Sequence, residues 1–266
     1  MTDSRLPRAK KSLGQNFLSD KNFVNKIVNA ADLSPDDVVI EIGPGRGALT
    51  EQLVEKARKV IAVELDRELA PMLRERFADR PNFSVIEADA LTIDFADLGS
   101  DLILIANLPY YISTAILMRL ITYRRRFSRM VLMFQREVVD RMTAEPGDSE
   151  RGYLTVITEA FLEIERLFDV PPTAFKPVPK IWSSVVRLTP RDTTPFDGRE
   201  TEFETLVSAA FLQKRKTLQN NLRRAAAELG IKNISELLET AKIEPSRRAE
   251  TLSIDEWARL FAALNG

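Results

Sequence analysis

Val38-Val-Ile-Glu-Ile-Gly-Pro-Gly-Arg-Gly47 is the stretch that decides the fold. An apolar strand, Val38–Ile42, runs into alternating glycines at 43, 45 and 47, and a helical pattern over Ala48–Ala57 follows. A strand that meets a helix through so short a turn is one unit of a parallel sheet. Glycines at this turn let the backbone bend tightly and approach a ligand where a Cβ would clash. A nicotinamide dinucleotide site is spelled G-x-G-x-x-G, but here the spacing is G-x-G-x-G with Pro44 inside it. Dinucleotide pyrophosphate needs an open helix N-terminus. S-adenosylmethionine has no phosphate and accepts the tighter loop, so the glycines favour it as cofactor.

Working outward, further apolar strands read at Val60–Glu64, Phe83–Glu87, Leu102–Ala106 and Met130–Phe134, with helical stretches such as Glu68–Phe77 between them. This alternation predicts an α/β, Rossmann-like domain with helices on both faces of a mainly parallel sheet. Runs at Glu163–Phe168 and Ser184–Leu188 suit an antiparallel edge. Thr189–Arg199 is rich in Pro, Asp and Thr and reads as a linker. Helical patterns follow at Glu202–Leu212, Thr217–Leu229, Ser235–Thr240 and Ile254–Leu264, with Ser235 and Ser253 as helix starts. The expected division is a methyltransferase domain over 1–192 and a small all-helical, RNA-binding domain over 193–266.

Ligands of open α/β sheets sit beyond the carboxyl ends of the strands. Four successive strands end in Gly43, Glu64, Asp89 and Asn107, and so deliver all four to one crevice. With Gly45, they form the expected cofactor site: Glu64 accepts from ribose hydroxyls and Asp89 from an adenine amine. Either acid alone would read more readily as a helix cap than as a ligand contact; the ordered series is what points to a ligand.

The 266 residues contain no cysteine and no histidine, which excludes disulfides, thiolate zinc sites and every mechanism needing an imidazole. No metal is expected. No apolar run approaches the roughly 18 residues of a membrane span, and the amino terminus lacks a signal-peptide core, so a cytoplasmic, non-membrane protein is expected. Neither a heptad nor a long apolar edge is visible, so a monomer is expected. Net charge is only −1, yet cations cluster: Arg5, Arg8, Lys10 and Lys11; Arg119, Arg124, Arg125, Arg126 and Arg129; Lys214, Arg215, Lys216, Arg223 and Arg224. Such clusters suit a one-sided phosphate-binding face, or three solvated surfaces that never converge.

Asn107-Leu108-Pro109-Tyr110 carries the chemistry. An adenine N6 amine is a poor nucleophile because its lone pair is delocalised into the ring. The Asn107 side-chain oxygen and the Leu108 carbonyl can accept its two protons, favouring a more pyramidal nitrogen. Pro109 restricts φ beside that carbonyl, and Tyr110 offers a flat face for the base. A sulfonium is already an activated leaving group, so positioning and electrostatics suffice without a strong base.

The chain resembles the ribosomal RNA adenine N6,N6-dimethyltransferases, in particular those of the small-subunit branch. The likeness rests on Gly14–Leu18, Glu41–Thr50, Val63–Asp66, Glu87–Leu91, Asn107–Ser113, Phe175–Ser183, Lys216–Leu222 and Arg248–Ser253. The resemblance implies dimethylation of two adjacent adenosines in 16S ribosomal RNA, with the small subunit or its precursor as partner. It also implies Asn16 and Leu18 as cofactor contacts, and Phe175 as a ring stacking on the target base opposite Tyr110. Trp182 departs from the family, which usually has a smaller polar residue there. Two other functions fit parts of the pattern. One is a DNA adenine N6-methyltransferase, whose tetrapeptide usually has proline where Leu108 stands. The other is a ribosome-assembly factor acting mainly by binding, against which the intact glycines and tetrapeptide speak.

Overall fold

The computed structural model describes residues 7, 9, 10 and 14–265; Arg5, Arg8 and Lys11 of the first basic cluster lie outside them. The strands are β1 (Phe17–Leu18), β2 (Val38–Ile42), β3 (Lys59–Glu64), β4 (Phe83–Glu87), β5 (Leu102–Asn107), β6 (Phe127–Gln135), β7 (Leu162–Val170), β8 (Phe175–Lys176) and β9 (Ser183–Pro190). Seven of them form one sheet in the order β4-β3-β2-β5-β6-β9-β7. Pairing is parallel from β4 to β6, and β9 runs antiparallel to β6. After β2 the chain lays β3 and β4 on one side, then crosses to β5 on the other. The connections leaving the paired ends of β2 and β5 therefore part to opposite sides and open a crevice, the place where such sheets bind ligands.

Helices α1 (Lys21–Ala30), α2 (Thr50–Lys56), α3 (Leu69–Arg76) and α4 (Ser113–Thr122) cover the sheet's connections. Val24, Ile27 and Val28 of α1 and Leu53 of α2 pack in one cluster with Val39, Val60, Ile105, Met133 and Val185 of the sheet. Full burial of each such side chain contributes about 1.5–3 kcal/mol. Asp20 caps α1 by accepting the Asn22 N–H at 2.8 Å.

Backbone proximity divides the chain into two units, residues 1–139 with 164–190 and residues 140–163 with 191–266. The boundary read from composition falls at 192/193, whereas residues 140–163 cluster with the carboxyl-terminal helices. Buried Arg151 explains much of this: it donates to the Ala144 and Leu252 carbonyls and pairs with Glu159 at 2.7 Å. Phe161 also packs edge-on against Phe196 and Phe203. The helices of this unit begin and end partly where their spacing predicts. Ser253 and Glu256 exchange the two bonds of a capping box. At the preceding helix the cap is Asn233, not Ser235, because its carboxamide accepts both the Ser235 and Glu236 N–H groups.

Two-stranded pairing of β1 with β8 sets Leu18 opposite Phe175. This register turns Phe175 into the core, where its ring is 0% exposed. Leu18, at 6%, is buried in the same cluster. In this structure the Phe175 ring has no face open to a base. Its residue type alone suggests a core side chain, and that is where it sits. Phe175→Ala is expected to lower unfolding free energy by about 3–5 kcal/mol in urea denaturation. Phe175→Leu, which keeps most of the contacts, is expected to cost clearly less. Small, equal losses for both would mean that the ring is not a core element in solution.

Candidate active site

The crevice is lined by the end of β2, the loop after it, and the ends of β3, β4 and β5, with residues 14–17 at its edge. It encloses about 750 Å³, its open mouth included. Gly43, Gly45, Glu64, Asp89, Asn107, Leu108, Pro109 and Tyr110 all line it, as does Asn16. Leu18 and Phe175 are not among its lining residues. The β1–β8 pair in which those two stand instead holds the Asn16 segment in place.

Glu64 ties the site together. Its carboxylate is 6% exposed and accepts the Gly45 N–H at 3.1 Å and the Asp66 N–H at 2.9 Å. Burial pushes its pKa up, against the pull of those two donors. Gly45 must adopt φ +59°, and a Cβ there would stand 2.9 Å from the Phe17 ring. Gly47 answers to a different demand: its Cβ would press on Phe77 and Leu73, so it lets the loop pack against α3. Gly43 meets only the Asn107 carbonyl, at 3.9 Å, and leaves space open on the crevice side.

Asp89 caps no helix; it stands in a turn at the crevice wall. Its Oδ1 accepts the Leu91 N–H at 2.9 Å, shaping the turn after β4, while the residue lines the crevice. Asn107 donates its Nδ2 to the Asn16 carbonyl at 3.2 Å. Only the amide nitrogen can donate, so this bond fixes which end is which and leaves Oδ1 as the acceptor. The Pro109 and Tyr110 carbonyls are taken by Ile112 N–H and Ser113 Oγ. Among the described residues, no N–H is bonded to the Leu108 carbonyl. The motif thus keeps two acceptor oxygens uncommitted. Tyr110 is half-buried, and its hydroxyl lies 2.7 Å from Ser183 Oγ, which sets the ring's angle. Burial raises its pKa, so it remains a neutral phenol.

Several contributors were not visible as such in the sequence. Asp66 accepts from Lys10 Nζ at 2.7 Å, Gln15 Nε2 at 2.9 Å and the Glu68 N–H at 2.9 Å, anchoring the amino-terminal segment over the end of β3. Burial pushes the Asp66 carboxyl up, but these donors outweigh it and hold it below the usual range. Ser183 is a second example; only proximity to Tyr110 reveals it. The arginine cluster at 119–129 shows the converse. Arg119 donates to the Ile93 carbonyl, Arg124 is buried on the Ile121 carbonyl, and Arg129 holds the Ala31 and Asp32 carbonyls. These three cations are tied to carbonyls of the fold, while Arg125 of the same cluster is exposed.

No helix of the described residues is long and apolar enough to cross a membrane. Among the same residues, no group of three or more Asp or Glu side chains is placed to hold a metal ion.

Residues 7–265 match the family model for ribosomal RNA adenine dimethylase. Ribosomal RNA small subunit methyltransferase A of Geobacter metallireducens is 43% identical over 263 residues, 97% of this chain and 96% of that protein. The protein of the same name from Geobacillus thermodenitrificans is 44% identical, with 96% and 90% covered. Among solved structures, a dimethyladenosine transferase from Plasmodium falciparum superposes with TM-score 0.84 at 29% identity, covering 94% of this chain and 97% of that one. The 23S rRNA methyltransferase ErmE superposes with TM-score 0.73 at 30% identity, with 94% and 100% covered.

Beneath the glycine loop lies a second acid, Glu41. It is 0% exposed, accepts Thr50 Oγ1 at 2.6 Å through Oε2, and leaves Oε1 without a partner. Burial raises its pKa from 4.5 to about 8. Between those values folded Glu41 keeps a proton that the unfolded chain has lost, so stability falls as pH rises through the window. Its share reaches about 1.4 kcal/mol per pH unit. Glu41→Gln keeps an acceptor for Thr50 and removes the titration. Urea midpoints measured across the window are expected to slope less steeply in the variant; an unchanged slope would place the proton elsewhere.

Proposed function

The chain belongs to the ribosomal RNA adenine dimethylase family, and on that premise we propose that it transfers methyl groups from S-adenosylmethionine to N6 of adenines in small-subunit ribosomal RNA, twice on each of two adjacent adenosines. The observation that carries the reading is the pair of acceptors in Asn107-Leu108-Pro109-Tyr110: one carboxamide oxygen oriented by Asn16, and one carbonyl to which no chain donor is bonded.

S-adenosylmethionine fits the residues of the crevice. Gly43 leaves open space, Glu64 and Asp89 supply carboxylate acceptors, and nothing cationic is aligned to meet a pyrophosphate. When bound, it supplies an activated methyl group on a sulfonium. Gly43, Gly45, Glu64, Asp89 and Asn16 would hold it; Leu18 would support the Asn16 segment from the core.

The target adenine leaves any stack it occupies and lies against Tyr110. Its N6 amine donates one proton to Asn107 Oδ1 and the other to the Leu108 carbonyl. Those bonds localise the nitrogen lone pair and aim it at the methyl carbon. Neither acceptor is a strong base, so the N6 proton displaced on methylation passes to water. The chain's contribution is orientation in a partly desolvated site, a source of large rate effects. RNA phosphates meet Lys214, Arg215, Lys216, Arg223 and Arg224 of the helical segment 193–266, all exposed.

A DNA adenine substrate is disfavoured by Leu108. A binding-only role is disfavoured by the intact acceptor pair. Asn107→Ala is expected to lower kcat on unmethylated small subunits by at least about 10²-fold, since both an acceptor and its alignment are lost. The measurement is transfer of labelled methyl groups, followed by mass spectrometry of the nucleosides. Near-normal rates of dimethyladenosine formation would remove the acceptor argument, and labelling of duplex DNA instead would move the chain to the other substrate.

A further inference from the structure

Six large apolar side chains are exposed among the described residues: Leu65, Tyr111, Val178, Ile181, Trp182 and Leu212. Five of them belong to the surroundings of one site. Leu65 and Tyr111 line the crevice itself. Val178, Ile181 and Trp182 stand on the segment between β8 and β9, Lys176-Pro-Val-Pro-Lys-Ile-Trp182. That segment is stitched to the crevice rim where it ends. Ser183 Oγ meets the Tyr110 hydroxyl at 2.7 Å, and the Trp182 carbonyl accepts the Arg136 N–H at 3.0 Å. Trp182 is therefore one residue, about 3.8 Å of backbone, from the group that orients the base-stacking tyrosine.

Nothing within the fold accounts for this exposure. Trp182 is 47% exposed and Val178 63%. Lys176 and Lys180 flank them, both exposed, and neither has an ion-pair partner among the described residues. The segment contains no acid. Aromatic and apolar faces interleaved with unpaired cations suit an unpaired nucleic-acid strand, whose bases stack while its phosphates meet lysine. A buried protein–protein core selects against unpaired lysine.

We propose that the segment Lys176–Trp182 is the seat of the unpaired nucleotides flanking the target adenine, with the Trp182 indole stacking on a neighbouring base and Lys176 and Lys180 meeting the adjoining phosphates. The assignment rests on the RNA-methylating function above. It adds a second stacking face, outside the crevice, that holds the strand while the target base is turned in against Tyr110. Substrate selection then includes a demand that the target's neighbour be unpaired and free to stack.

The chain has two tryptophans, and Trp257 is 0% exposed. Acrylamide quenching therefore reports Trp182 nearly alone, and Trp182→Phe supplies the Trp257 background. Binding of unmethylated small subunits' naked 16S RNA, or of single-stranded oligoadenylate, is expected to shield Trp182 from acrylamide. Trp182→Ala is expected to raise KM for small subunits about tenfold, the scale of one lost base stack. The KM for S-adenosylmethionine and the melting temperature should hold, and Trp182→Phe should recover most of the loss. An unchanged KM in Trp182→Ala overturns the proposal. So does shielding by intact subunits but not by either RNA, which would assign the segment to a protein surface. If the wild-type chain methylates no RNA, the parent reading fails instead, and the two failures are thereby told apart.

Discussion

A buried carboxylate spanning two loops is the constraint on which the site depends. Glu64 ends β3 and reaches both the Gly45 N–H of the glycine loop and the Asp66 N–H of the next turn. Asp66 in turn gathers Lys10 and Gln15. Through these bonds the ends of β2 and β3 and the amino-terminal segment are set by one side chain. Replacing it with an apolar residue would leave two inward-facing N–H groups without partners, each a cost of about 1–3 kcal/mol. The parting of the connections after β2 and β5 makes a crevice, and Glu64 gives its glycine wall a fixed shape.

Chemistry without histidine follows from the same economy of groups. Asn107 is oriented by Asn16, and Tyr110 by Ser183, each through one hydrogen bond to a residue far away in sequence. Nothing in this constellation needs to change protonation at neutral pH. Glu41 and Tyr110 are held neutral by burial. A reacting group that brings its own activated leaving group asks the protein mainly for geometry, and geometry is what these bonds supply.

Much of this was legible in the residues. Strand–helix alternation and the glycine loop announced the sheet, because period and turn chemistry are local properties. The series Gly43, Glu64, Asp89 and Asn107 was legible because strand ends in a parallel sheet share one edge. What the residues did not disclose depends on long-range pairing. Ser183 meets Tyr110 only because β9 returns antiparallel beside β6. That Arg119, Arg124 and Arg129 are tied to carbonyls was not legible, because charge density says nothing of whether carbonyls wait nearby. Phe175 shows the reverse case: residue type alone pointed to the core, family likeness pointed to the base, and the β1–β8 register put it in the core.

The three glycines of the loop do not share one purpose. Gly45 makes room for Phe17 and Gly47 for Phe77, whereas Gly43 alone borders open space. All three nevertheless hold left-handed backbone, at φ +65°, +59° and +81°, so a descendant that gave up transfer and kept only a scaffolding duty would still be obliged to retain every one of them. Its fingerprint would look intact to any pattern search. Whether such a copy still methylates is better judged from the asparagine at 107 than from the glycine motif.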